Sequence, residues 1–209
     1  KYPQIATFPQ KIASISIEQN LNVLKVRTLY LNETELIAEA KKANRKAQKA
    51  LYDRHASKML SVCRYYINDL QYAEEVLMNG FLKAFTHLGQ FSKTDHFGAW
   101  LRKIMVREAL SFLRKKQPLF FTDLNDAHFV AAPLPSASQL SVHDLQFLID
   151  QLPENQKVVF VLYALEGYTH KEIAATLNIP VGTSKSYLSR SRSVLQQQIK
   201  TYSLKKDRK

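Results

Sequence analysis

Between Thr183 and Arg192 the sequence reads TSKSYLSRSR, which sets Lys185, Arg190 and Arg192 among small hydroxyl side chains. Cations pair with phosphate oxygens, and short polar side chains reach base edges, so this mixture suits a helix laid in a DNA groove. Such a helix reads bases mainly with its N-terminal residues. Thr183, Ser186 and Tyr187 are therefore the expected base readers, and Lys185, Arg190 and Arg192 the expected backbone contacts. His170 and Lys171 fall where the preceding helix would cross the phosphate backbone. The plainer alternative is an ordinary basic helix on a small packed domain.

A second cationic row lies upstream. Lys103, Arg107, Ser111 and Arg114 recur at helical spacing, with Arg102, Lys115 and Lys116 beside them and Phe97 and Trp100 at the start. Bases stack on aromatic rings while Lys and Arg pair with the backbone, which suits single-stranded or melting DNA. Stacking is worth ~1–3 kcal/mol per base, against a few kcal/mol to unstack one. The alternative is that both aromatics are core, and for Phe97 that is the expected outcome. A different chemistry sits on Glu74, Glu75, Met78, Asn79, Leu82 and Thr86, one outer helical face. Met78 and Leu82 are apolar where solvent is expected, which points to a protein partner or to scattered surface hydrophobes.

Nothing in the sequence suggests catalysis. Glu74 and Glu75 are helix neighbours that point about 100° apart, with no His in register. His170 and Glu172 lack a third ligand, so no metal site is expected. There is no Gly-rich phosphate loop and no nucleophile elbow, and we expect no cofactor. Cys63 is the single cysteine; it sits on an apolar face and reads as a small buried hydrophobe in a reducing, cytoplasmic setting. The net charge of +12 and pI near 9.7 favour a polyanionic partner. The longest apolar run, Val158–Leu165, is far short of the ~20 residues of a membrane span, so no membrane insertion is expected.

The elements that must carry these residues are all helical, and the expected fold class is all-α. Residues 1–31, with Pro3 and Pro9, form an unassigned N-terminal extension, expected to be poorly ordered. A helical domain is expected over 32–116. Asn32 and Glu35 suit a capping box, and Leu36, Ala40, Ala43, Ala47, Ala50 and Leu51 recur on one face of a first helix. A second helix carries Met59 to Leu70, a third Ala73 to Leu88, and a fourth, which Asp95 would cap, Phe97 to Leu113. Pro118, Pro133 and Pro135 mark 117–140 as a linker. It would either span a long distance on a large partner or let the two domains pack together. The second domain, 141–200, ends in the helix-turn-helix pattern: Pro153 opens a helix, Gly167 stops it, and Thr169 with Glu172 caps the next. A basic tail, 201–209, closes the chain.

Three blocks, YAEEVLMNGFLKAF, FGAWLRKIMVREALSFLRKK and LPENQKVVFVLYALEGYTHKEIAATLNIPVGTSKSYLSRSR, together with their order and separation, resemble the bacterial RNA polymerase sigma factors of the extracytoplasmic-function group. The resemblance implies two small helical domains working on core RNA polymerase and promoter DNA, with no enzymatic activity. It implies polymerase docking through Glu75, Met78, Asn79 and Leu82. It implies −10-element recognition and melting around Trp100, Arg102, Lys103, Arg107, Ser111 and Arg114. The −35 element would be read by the last helix, with His170, Lys171, Thr183, Lys185, Ser186, Tyr187, Arg190 and Arg192 in the interface. Many members of that family are held inactive by an anti-sigma protein, which is an expected class of partner. The competing reading is an autonomous helix-turn-helix regulator whose first domain senses a signal or dimerises.

Overall fold

The computed structural model describes residues 32–92, 96–116 and 141–206. The N-terminal extension, the linker, the Asp95 cap and residues 207–209 lie outside the described residues. Within them the chain is all-α, with no strand. Helix α1 spans Glu33–Lys41, α2 Arg45–Tyr66, α3 Leu70–Thr86 and α4 Phe97–Lys116, with a 3-10 turn over Leu88–Gln90. After residues 117–140 come α5 Val142–Asp150, α6 Glu154–Ala164, α7 His170–Leu177 and α8 Val181–Lys206.

Local chemistry starts most of these helices. Asn32 and Glu35 form the expected capping box on α1. Asn44 accepts from the amides of Lys46 and Ala47 at the head of α2, and Asp69 accepts from Tyr72 on α3. Ser141 and Asp144 cap α5 reciprocally, a box that the sequence reading did not anticipate.

Two boundaries differ from expectation. The apolar spacing through Ala43 and Ala47 suggested one first helix. The structure breaks it at Lys42–Asn44, where Ala43 takes the left-handed conformation (φ 60°) and the Asn44 side chain opens a new helix. That new helix, α2, joins the end of the expected first helix to most of the expected second and stops at Tyr66, so Leu70 opens the next helix instead. At the other end, the basic tail is helical as far as Lys206, because α8 simply continues.

In the first domain α2, α3 and α4 pack around Leu51, Met59, Tyr66, Phe81, Leu101 and Met105, with Leu36 of α1 closing one side. Gly80 lets α3 and α4 approach closely, since a Cβ there would overlap Met105 Sδ. In the second domain α7 and α8 pack on α6, whose residues from Lys157 to Leu162 are all buried, and α5 packs on α8. A helix buried on every face needs cover on both sides, and α2 of the first domain supplies part of it. The two domains are thus packed together. Among the described residues no helix is long and apolar enough to cross a membrane.

An alanine held at φ 60° costs roughly 1–2 kcal/mol relative to glycine. Ala43→Gly should therefore raise the stability of the chain by about 1 kcal/mol in urea denaturation. A loss of stability would show that the turn does not depend on that conformation.

Candidate nucleic-acid interface

The helix-turn-helix is built from α7, a short turn and α8. Thr169 Oγ1 accepts from the Glu172 amide at 3.3 Å, and Glu172 Oε2 accepts from the Thr169 amide at 2.8 Å and from its hydroxyl at 2.8 Å. Those bonds from Thr169 hold the exposed Glu172 carboxyl below its ordinary value. Gly167, at φ 74°, makes the stop before this cap, and Asn178, at φ 56°, turns the chain after α7. Ile179 then tucks into the core and Pro180 precedes α8.

Three side chains fix α7 against α8. His170 Nδ1 lies 2.9 Å from Ser184 Oγ, and the His170 ring stacks on Tyr163 at 4.8 Å. The Arg192 guanidinium sits 5.5 Å from the centre of the same Tyr163 ring. Partial burial, then the neighbouring Lys185 and Arg192 charges, push the His170 imidazole below its ordinary value. Ser191 Oγ donates to Gln156 O at 3.2 Å, which ties the middle of α8 to α6.

On α8, Lys185 is exposed, and Ser186, Arg190 and Arg192 are half-buried; on α7, Lys171 is exposed and His170 half-buried. Two expected base readers are not at the surface. Tyr187 is 2% exposed and Thr183 is also buried. The reason is the width of the inward face. Ser184, Leu188, Ser191 and Leu195 make one row, and Thr183 and Tyr187 make a second row beside it. A core-facing stripe on a helix is typically 100° wide or more. Tyr187 is therefore part of the packing of α8, and its hydroxyl finds no hydrogen-bond partner among the described residues.

On α4, Lys103, Arg107 and Arg114 are exposed and Ser111 is half-buried. Phe97 is core, and Trp100 is half-buried against Phe91 at 5.3 Å and Phe97 at 5.8 Å. Arg102 departs from the expected outward row. It turns to the second domain and makes a bidentate pair with Glu166, Nε to Oε2 at 2.6 Å and Nη2 to Oε1 at 2.8 Å. The bond to Glu166 raises the Arg102 pKa further.

On α3, Met78 and Leu82 are 57% and 66% exposed, with Glu75 and Asn79 beside them. Met78 rims a shallow groove of about 270 Å³ between α2 and α3, lined by Tyr52, Ala56, Leu60 and Leu77. Sequence reasoning missed Tyr163 and Glu166. Tyr163 lies in an apolar run with no periodic signal, and a lone Glu before a Gly reads as loop chemistry.

The family model "Sigma-70 region 2" matches residues 51–118, and "Sigma-70, region 4" matches 143–195. Together they take in more than half of the chain, in the order expected of two successive domains. The chain is a sigma factor of the extracytoplasmic-function group. It is 27% identical over 177 residues to the ECF RNA polymerase sigma factor SigW of Bacillus subtilis, covering 78% of this chain and 95% of that protein. It is 26% identical over 179 residues to the RNA polymerase sigma-H factor of Pseudomonas aeruginosa, covering 78% of this chain and 91% of that one. Among solved structures, a sigma factor co-crystallised with an anti-sigma factor, from Bartonella quintana, is 22% identical, with a TM-score of 0.47 over 73% of this chain and 96% of that one. Sigma factors are transcription initiation factors, and this one acts with core RNA polymerase on promoter DNA.

If Tyr187 packs and does not read DNA, Tyr187→Phe should leave stability within about 1 kcal/mol and leave duplex affinity unchanged. Tyr187→Ala should cost about 3 kcal/mol or more through the cavity it opens. A selective loss of promoter affinity in a stable Tyr187→Phe protein would contradict the packing role.

Proposed function

We propose that this sigma factor holds polymerase with α3, engages the −10 element with α4 and reads the −35 element with α8. The domains doing so are 32–116 and 141–200, joined by a linker over 117–140. The observation that carries this reading is the pairing, on one small domain, of an exposed apolar face at Met78 and Leu82 with a cationic row at Lys103, Arg107 and Arg114 on the adjacent helix. The first suits a large protein surface; the second suits a nucleic-acid backbone. Glu75 and Asn79 rim the polymerase dock, and Trp100 and Ser111 flank the −10 row. An autonomous regulator would need that α3 face only for dimerisation or for another protein partner.

In the second domain, Lys171, Lys185, Arg190 and Arg192 hold phosphates, His170 orients the approach, and Ser186 is left as the side chain nearest base edges. The chain has no catalytic role and works in the cytoplasm, where its template is. An anti-sigma protein that covered Met78 and Leu82 would keep it from polymerase.

Replacing Met78 and Leu82 together with Glu should abolish capture of purified core polymerase while circular dichroism stays unchanged, because both side chains lie outside the core. Capture at wild-type level would move the dock elsewhere, and no capture by the unaltered chain would favour the autonomous regulator. Lys185→Ala should weaken duplex binding and reduce the slope of log K against log salt by about 0.9, the value for one lost phosphate contact. An unaltered slope would remove Lys185 from the backbone.

A further inference from the structure

We infer that helix α1 is a brace for the aromatic cluster at the head of α4, and that Lys41 is a positioning residue for promoter opening because it fixes the ring against which Trp100 rests. The inference deepens the proposed role of α4 at the −10 element and rests on it. Lys41 Nζ donates to Phe91 O at 2.9 Å and lies 5.9 Å from the centre of the Phe91 ring. One side chain therefore holds both the backbone and the ring of a residue 50 positions away. Phe91 leaves the 3-10 turn in extended backbone (φ −67°, ψ 123°), and its amide donates back to Leu88 O at 3.1 Å. No amide of that turn follows Phe91, so its carbonyl takes its donor from α1. A cation at this end of α1 has a local alternative: Lys42, the next residue, turns back to Glu39 Oε1 at 2.9 Å.

The ring so held supports Trp100. Phe91 is 6% exposed and meets Trp100 at 5.3 Å and Phe97 at 5.6 Å, the latter edge-on. Phe97 meets Trp100 at 5.8 Å. Of the three rings Trp100 alone is half-buried and keeps area open to a ligand. Helix α1 grips the same cluster from its other end. Glu33 Oε1 lies 2.7 Å from His55 Nε2, and the His55 ring packs edge-on against Phe97 at 5.1 Å. Between the two ends Leu36, Ile37 and Ala40 are buried. Helix α1 thus acts on Phe91 directly and on Phe97 through His55. A strand that stacks a base on Trp100 gains most when the ring is already fixed, because ordering a loose side chain offsets part of the stacking. Holding Phe91 in place fixes that ring before the strand arrives.

The test uses the full chain, in which Trp100 is the single tryptophan and its fluorescence reports the cluster directly. Lys41→Met keeps the aliphatic stem and removes the donor. It should raise quenching of Trp100 by acrylamide and weaken binding of a mixed-sequence DNA single strand by about fourfold, the worth of one hydrogen bond, with circular dichroism unchanged. Lys41→Arg, which can still donate to the carbonyl, should restore both. Lys42→Met removes the same charge one residue away and should change neither. Unchanged Trp100 quenching in Lys41→Met would overturn the brace; weaker strand binding alongside it would make Lys41 a direct phosphate contact instead. Greater quenching with strand affinity equal to that of Lys42→Met would overturn the positioning role. If the strand binds the unaltered chain without changing Trp100 emission, the −10 reading of α4 itself fails and the positioning role with it, whatever Lys41→Met does to quenching.

Discussion

Everything in the second domain follows from the burial of α6. From Lys157 to Leu162 every residue of that helix is buried, so it must be enclosed and cannot lie on a surface. Helix α8 covers most of it, and α7 and α2 of the first domain each cover part of the rest. Once α8 is committed to covering α6, its inward rows are set by Ser184, Leu188 and Leu195, with Thr183 and Tyr187 alongside. Lys185 is then left outward at the mouth of the helix-turn-helix. The same burial brings Glu166, just beyond the end of α6, against Arg102 of α4.

The charges divide along the same lines. In a chain of net charge +12, two carboxylates at the domain interface are held in ion pairs: Asp150 with Lys157 and Arg64, and Glu166 with Arg102. Lys103, Arg107 and Arg114 on α4 and Lys171 and Lys185 in the helix-turn-helix stay exposed. Exposed cations on α4 and in the helix-turn-helix give the sigma factor two electrostatic grips, each sensitive to salt. Tyr66, buried beside this interface, has its phenol pushed well above its ordinary value by burial and then by Glu166.

The capping boxes at Asn32–Glu35 and Thr169–Glu172, the stop at Gly167 and the all-α class were legible because each depends on neighbours a few residues apart. The break at Ala43 was not. Alanine is a helix former with no preference for the left-handed region, and only the Asn44 cap beyond it hinted at a restart. The burial of Tyr187 was not legible, because Ser184, Leu188 and Leu195 already make one inward row on α8 and only packing on α6 requires a second. Arg102 looked like one more cation of the α4 row, and its partner lies 64 residues away.

The order of residues by itself determined the helices, the two cationic segments and the apolar pair on α3, since periodicity, caps and charge are properties of short stretches. Tertiary structure alone decided which cations face solvent and which are held. Whether Arg102 meets Glu166 or water, and whether Tyr187 is inside or out, depends on how α6 is enclosed. That enclosure joins segments far apart in the chain, and no local pattern encodes which of two similar side chains the packing will cover.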